Sequence, residues 1–165
     1  MKNNIWKVLF LLTAIMVLYG CSNNKEKDLD ALNSKIEDLN RLLNYIEVNY
    51  ADTMQDTLRK RERIVFVDCK KKGNLSKDYI CDCEDVIKKM KDIGISEIRF
   101  ENVKVDCETS KQYSEVYFQK KKLFYYPVVY YLFEYCETKS PIETNTIYYK
   151  PVDKHWSLYI DSNFP

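Results

Sequence analysis

The residues of this chain best suited to nucleophilic, redox or metal chemistry are six cysteines and one histidine. Five of the cysteines, Cys69, Cys81, Cys83, Cys107 and Cys136, lie beyond residue 65. An odd number allows at most two bridges within a monomer and leaves one thiol over. The expected pairing is Cys69 with Cys81 or Cys83, and Cys107 with Cys136 across strands. The first would close a loop of about a dozen residues, worth about 3 kcal/mol in the chain-entropy description. Cys81-Asp82-Cys83 is not a CxxC motif. Side chains two apart on a helix diverge, so neither redox cycling nor a shared metal is natural there. A thiolate metal site from Cys69 and one of that pair is a minor alternative; no metal and no cofactor is expected. His155 stands alone, which removes most metal-hydrolase, Cys-His and Ser-His schemes. With no nucleophile or oxyanion loop to accompany it, it reads as a surface residue beside Trp156. No catalytic residue, and no enzyme, is expected.

Aromatic density is the most unusual local feature. Phe124, Tyr125, Tyr126, Tyr130, Tyr131, Phe133 and Tyr135 fall in one extended run, with Tyr113, Tyr117, Phe118, Tyr148, Tyr149, Trp156 and Tyr159 on its expected neighbours. Both faces of a strand over residues 123–136 are then apolar or aromatic. One face can fill a core; the other must meet the helices, a ligand or a partner. Tyr and Trp suit protein partners and sugars alike, and Tyr126, Tyr130, Tyr148 and Trp156 are the candidate partner or ligand surface. Aromatic packing within a small sheet is the plainer account of the same residues. Pro127 implies an edge position or a bulge.

The first residues read as an address. Met1 to Lys7 carries Lys2 and Lys7 and no acid, and Val8 to Leu18 is an eleven-residue apolar run. That is the layout of a secretory signal, too short to span a bilayer comfortably. It ends in Leu18-Tyr19-Gly20-Cys21, which resembles the bacterial lipoprotein lipobox at three of four positions, Tyr19 replacing the usual small residue. The resemblance implies cleavage before Cys21, acyl chains on Cys21 and attachment to a membrane. Ser22 after the cysteine favours the outer membrane under the sorting rule of enteric bacteria. Two or three acyl chains anchor stably, at about 0.8 kcal/mol per buried methylene. An exported chain meets an oxidising compartment, which makes disulfides the first reading of the remaining cysteines. Without Lys2 and Lys7 the mature chain holds 24 basic and 25 acidic side chains, a net charge near −1 that does not suggest nucleic-acid binding.

The elements that must position these residues follow from periodicity. From Lys25 to about Arg63 there is neither Gly nor Pro, and Leu29, Leu32, Ile36, Leu39, Leu43, Ile46 and Tyr50 recur in steps of 3 and 4. This predicts one long amphipathic helix over about 21–62, tether included, which either self-associates through Leu29, Leu32, Ile36, Leu39, Leu43 and Ile46 or packs on its own domain. Ile64 to Val67 reads as a buried strand. Ser76 is the expected N-cap of a helix through Ile93, with Ile80, Cys83, Val86, Ile87, Met90 and Ile93 on one face and Gly94 at its C-terminus. Ile98, Phe100, Val103, Val105 and Cys107 alternate, with a phase change at Asn102 that predicts a bulge. Residues 113–119, 123–136, 146–149 and 156–160 read as four further strands.

The expected fold is α+β: a long N-terminal helix, then a short helix packed on an antiparallel, curved sheet of about five to six strands, the domain proper covering 63–165. The element order is similar to the cystatin-like and nuclear-transport-factor-like cone folds, which implies a pocket between helix and sheet. The functional expectation is a non-enzymatic, membrane-anchored protein-interaction or envelope-assembly module. The alternative is a small-ligand or glycan-binding domain using that pocket.

Overall fold

The computed structural model describes residues 24–58, 63–68, 79–80, 83–101, 113–121, 127–136 and 138–163. The chain divides into two compact units, Met1–Ser34 and Lys35–Pro165. In the first unit residues 24–33 are helical. The run ends where the Ser34 hydroxyl turns back onto the Ala31 carbonyl, 3.0 Å away, a local bond that competes with the helical ladder. In the second unit come helices α1 (Ile36–Asn49) and α2 (Ala51–Leu58). Tyr50 between them leaves helical backbone at φ −122° and ψ 16°. The single helix expected from Lys25 to about Arg63 is thus interrupted twice among the described residues.

Helix α1 buries Leu39, Leu42, Leu43 and Ile46 and leaves Val48 69% exposed. Leu42 beside Leu43 widens the apolar stripe beyond a coiled-coil seam, as packing on a globular core requires. Leu39, Leu43 and Ile46, three of the positions considered for self-association, therefore serve the chain's own core. Helix α3 (Glu84–Asp92) buries Val86, Ile87 and Met90, with Glu84 and Asp85 in its first turn and Lys89 and Lys91 in its last, each charge matched to the helix dipole. Gly94 follows at φ +75°, the left-handed position that ends helices and favours glycine. Lys35 donates from Nζ to the Ile93 carbonyl at 2.5 Å, tying the start of α1 to the end of α3.

Eight strands form one mixed sheet: β1 (Arg63–Val67), β2 (Tyr79–Ile80), β3 (Ile95–Glu101), β4 (Glu115–Lys120), β5 (Val128–Glu134), β6 (Ile142–Glu143), β7 (Ile147–Pro151) and β8 (Trp156–Asp161). Their order is β2-β1-β3-β4-β5-β8-β7-β6. The pair β1 and β2 is parallel and the others are antiparallel. The sheet is larger than expected because β2 and β6 contribute two residues each, too few for alternation to register. The sequence pattern places Tyr79 and Ile80 in a helix from Ser76, whereas they form β2. That helix starts only at Glu84, with Cys83 as N-cap, and Ser76 lies outside the described residues. The bulge expected at Asn102 also lies outside them; a register shift falls between Ile95 and Glu97. Strand β5 is central, not an edge. Pro127 precedes its first residue, where its missing N–H removes no ladder bond.

Cross-strand register sorts the side chains into two faces. On the helix-covered face Ile64, Phe66, Ile98, Phe100, Val116, Phe118, Tyr131, Leu158 and Trp156 are buried. Helix α1 lies over it: Trp156 Nε1 donates to Asn40 Oδ1 at 3.2 Å, and the Tyr50 ring meets Phe66 edge-on at 5.6 Å. Edge-to-face contacts continue from Phe66 through Phe100 and Tyr113 to Tyr135, each worth about 0.5–1.5 kcal/mol beyond burial.

Candidate functional site

The second sheet face carries the chemistry. Register places Arg63, Glu101, Glu115 and Glu134 abreast on β1, β3, β4 and β5. The next row holds Val65, Arg99, Tyr117, Leu132 and Ser157, and the one after it Glu97, Gln119, Tyr130, Tyr159 and Tyr149. Three glutamates side by side oppose pairing, since like charges directly across a sheet repel, and Glu115 and Glu134 are each only 3% exposed.

Donors from neighbouring elements satisfy them. Lys139, on the connection after β5, sets Nζ 2.9 Å from Glu115 Oε1 and 3.7 Å from Glu134 Oε1. Its backbone N–H donates to the Tyr149 hydroxyl oxygen at 2.9 Å, while Thr138 anchors that connection to the turn before β8. Tyr149 donates to Glu134 Oε2 at 2.6 Å, and Ser157 Oγ lies 2.7 Å from the same oxygen. Tyr117 donates to Glu115 Oε2, and Arg99 Nε lies 2.7 Å from Glu101 Oε1. Burial pushes the Tyr149 hydroxyl up to about 12, with Glu134 adding to it. Burial and Glu115 push Tyr117 well above the usual phenol range. Burial pulls Lys139 down, but Glu115 and Glu134 together hold its ammonium above the ordinary lysine value.

Beside this row stands an aromatic triad. Tyr117, Tyr130 and Tyr159 are each half-buried, with ring centroids 5.7, 6.2 and 5.9 Å apart. The Arg99 guanidinium sits 4.5 Å above the Tyr117 ring and 5.3 Å from that of Tyr130. Such an assembly can grip a partner group by stacking and charge. Among the described residues no group of three or more His, Cys, Asp or Glu side chains converges to hold a metal ion.

The residues expected from sequence to form a surface do not come together. Tyr130 belongs to the triad, Tyr148 lies on the opposite face, and Trp156 is a core residue at 2% exposure. Tyr126 lies outside the described residues. His155 is half-buried, stacked on Phe133 at 5.6 Å, with Nδ1 2.8 Å from the Glu134 carbonyl. Cys83 is a buried thiol with Sγ 3.5 Å from the Ile80 carbonyl, so the bridge alternative through Cys83 is not formed. Cys136 is in a disulfide; its partner, like Cys69, Cys81, Cys107 and Cys21, lies outside the described residues. Where helix and sheet meet, Trp156 reaches Asn40 and the Tyr50 ring packs on Phe66. Arg99, Glu101, Glu115, Glu134 and Lys139 were missed. Their signal, charges at alternate strand positions, becomes a site only once register aligns the strands. No protein-family model, no curated protein and no solved structure matches the chain.

Proposed function

We propose that this protein is a non-enzymatic interaction module, held on the outer membrane by acyl chains on Cys21 and docking a protein partner on the sheet face opposite its helices. The observation carrying this reading is the half-buried triad Tyr117, Tyr130 and Tyr159, with Arg99 over it, on the sheet face opposite α1. Tyrosine and arginine are the residues on which interface energy concentrates. The donor network beside them, in which Tyr117 donates to Glu115, holds the rings in one arrangement, which lowers the ordering cost of binding. Among the described residues no helix is long and apolar enough to cross a membrane, and the proposed anchor is lipid alone. Two measurements test the proposal. Cys21→Ser is expected to move the protein from the membrane fraction to the soluble one; retention on membranes would refute the lipid anchor. A photo-reactive phenylalanine analogue at position 159 is expected to cross-link a discrete partner in the envelope, and the same analogue at exposed Val48 is not. Equal yields from both would remove the sheet face from the proposal.

A further inference from the structure

The docking face has a charge signature that narrows its partner, an inference resting on the reading of that face as the docking surface. Glu97 lies in the same cross-strand row as Tyr130 and Tyr159, and Asp161 follows Tyr159 by two positions on β8, paired across to Val128 and Ile147. Both carboxylates are within electrostatic reach of the Tyr130 hydroxyl, and Asp161 also of Tyr159. Asp161 Oδ1 accepts from the Asn163 backbone N–H at 2.8 Å. Arg99 is the guanidinium at the triad, and Glu101 already matches it at 2.7 Å. Among the described residues beside the rings, Glu97, Glu101 and Asp161 thus outnumber the one cation at the triad, Arg99.

Arg99 also displays the mode of recognition. Its guanidinium lies over tyrosine faces while a carboxylate two residues along the same strand, Glu101, lies 2.7 Å from its Nε as an ion-pair partner. Tyr159 and Asp161 repeat that spacing on β8, with Tyr159 half-buried and therefore reachable. The rings meet edge-on, Tyr117 standing at 85° to Tyr130 and 82° to Tyr159. Tyr130 and Tyr159 are tilted 40° to each other, so the three rings form no flat shelf of the kind on which sugars stack; ring faces beside the Asp161 carboxylate suit a cation.

We infer that the triad face binds a basic segment of a partner protein, one arginine or lysine stacking on Tyr159 and pairing with Asp161. Acidic complementarity also steers association, so binding should weaken with salt.

The test titrates the full chain, ring-labelled at tyrosine and solubilised in neutral detergent, with three probes: acetyl-Gly-Arg-Gly-Arg-Gly-amide, its glutamate counterpart, and chitotriose. The arginine peptide is expected to shift the Tyr130 and Tyr159 ring signals saturably. Tyr159→Leu keeps the apolar area but removes the ring, and Asp161→Asn removes the charge; each should weaken binding about threefold, and the pair about tenfold. An unchanged ring signal from buried Tyr113 in each variant establishes that the core is intact. Affinity unaltered by both variants, or insensitive to salt, overturns the inference. Binding of chitotriose or of the acidic peptide instead, lost in Tyr159→Leu, overturns the basic partner and leaves the docking face standing. No Tyr159-dependent shift with any probe, together with no cross-link from position 159, overturns both.

Discussion

Glu134 is the residue on which the second face turns. Its carboxylate accepts from Tyr149, lies 2.7 Å from Ser157 Oγ, and shares Lys139 with Glu115. Removing one member of a buried ion pair is costly, about 3–5 kcal/mol where burial is complete. Lys139 is 52% exposed at its side chain, so solvent screens it and the expected loss for Lys139→Met is smaller, about 1–2 kcal/mol. Because the lysine separates two like charges, Lys139→Met combined with Glu115→Gln should lose less than the two single losses added together. A double-mutant cycle in urea reads this directly, and strict additivity would show that the row is not coupled. None of this was visible in the sequence, where Glu115, Glu134 and Lys139 are ordinary charges at 19 and 5 residues' separation. Strand register alone makes them neighbours.

At the scale of elements, α1 is fastened by two carboxylates that each collect two phenols. Asp85 on α3 accepts from Tyr45 and, at 2.6 Å, from Tyr50, joining α1 to α3. Glu47 on α1 accepts from Tyr135 and, at 2.6 Å, from Tyr113, joining α1 to the ends of β4 and β5. The Tyr45 and Tyr50 hydroxyls hold the Asp85 carboxyl below its ordinary value of 3.8. A lowered carboxyl contributes stability that is fully present above 3.8 and is lost as pH falls through the folded-state value. Asp85→Asn is therefore expected to be less stable than the parent at neutral pH, with the gap closing as pH drops below 3.8. Chemical unfolding across that range measures it, and a gap independent of pH would mean that the Asp85 charge contributes nothing. The heptad pattern announced one long helix; the described residues hold shorter segments instead, of which α1 buries Leu39, Leu42, Leu43 and Ile46. What ended each helical segment was less readable: Ser34 makes a local bond to the Ala31 carbonyl that many helical serines could make without ending a helix, and the Tyr50 phenol bonds to Asp85 on another helix, a partner set only by folding.

At the scale of the whole molecule, α1 and the sheet share one unit that begins at Lys35. A chain starting at Lys35 is expected to fold with native near-ultraviolet dichroism, whereas one starting at Arg63 leaves Phe66 and Trp156 uncovered and should aggregate or unfold. A folded monomer from Arg63 onward would make α1 dispensable. The α+β class, the strand of Ile64 to Val67, the amphipathic α3 with Gly94 at its end, and the final strand at Trp156 all followed from the sequence by itself, because periodicity and capping are local properties that survive without a partner. The insertion of β8 between β5 and β7, the two-residue strands β2 and β6, and the sorting of tyrosines into core and surface were decided only by tertiary structure. Those depend on which strands become neighbours, and a chain in which both faces of a strand are aromatic carries no local signal of which face turns toward the helices.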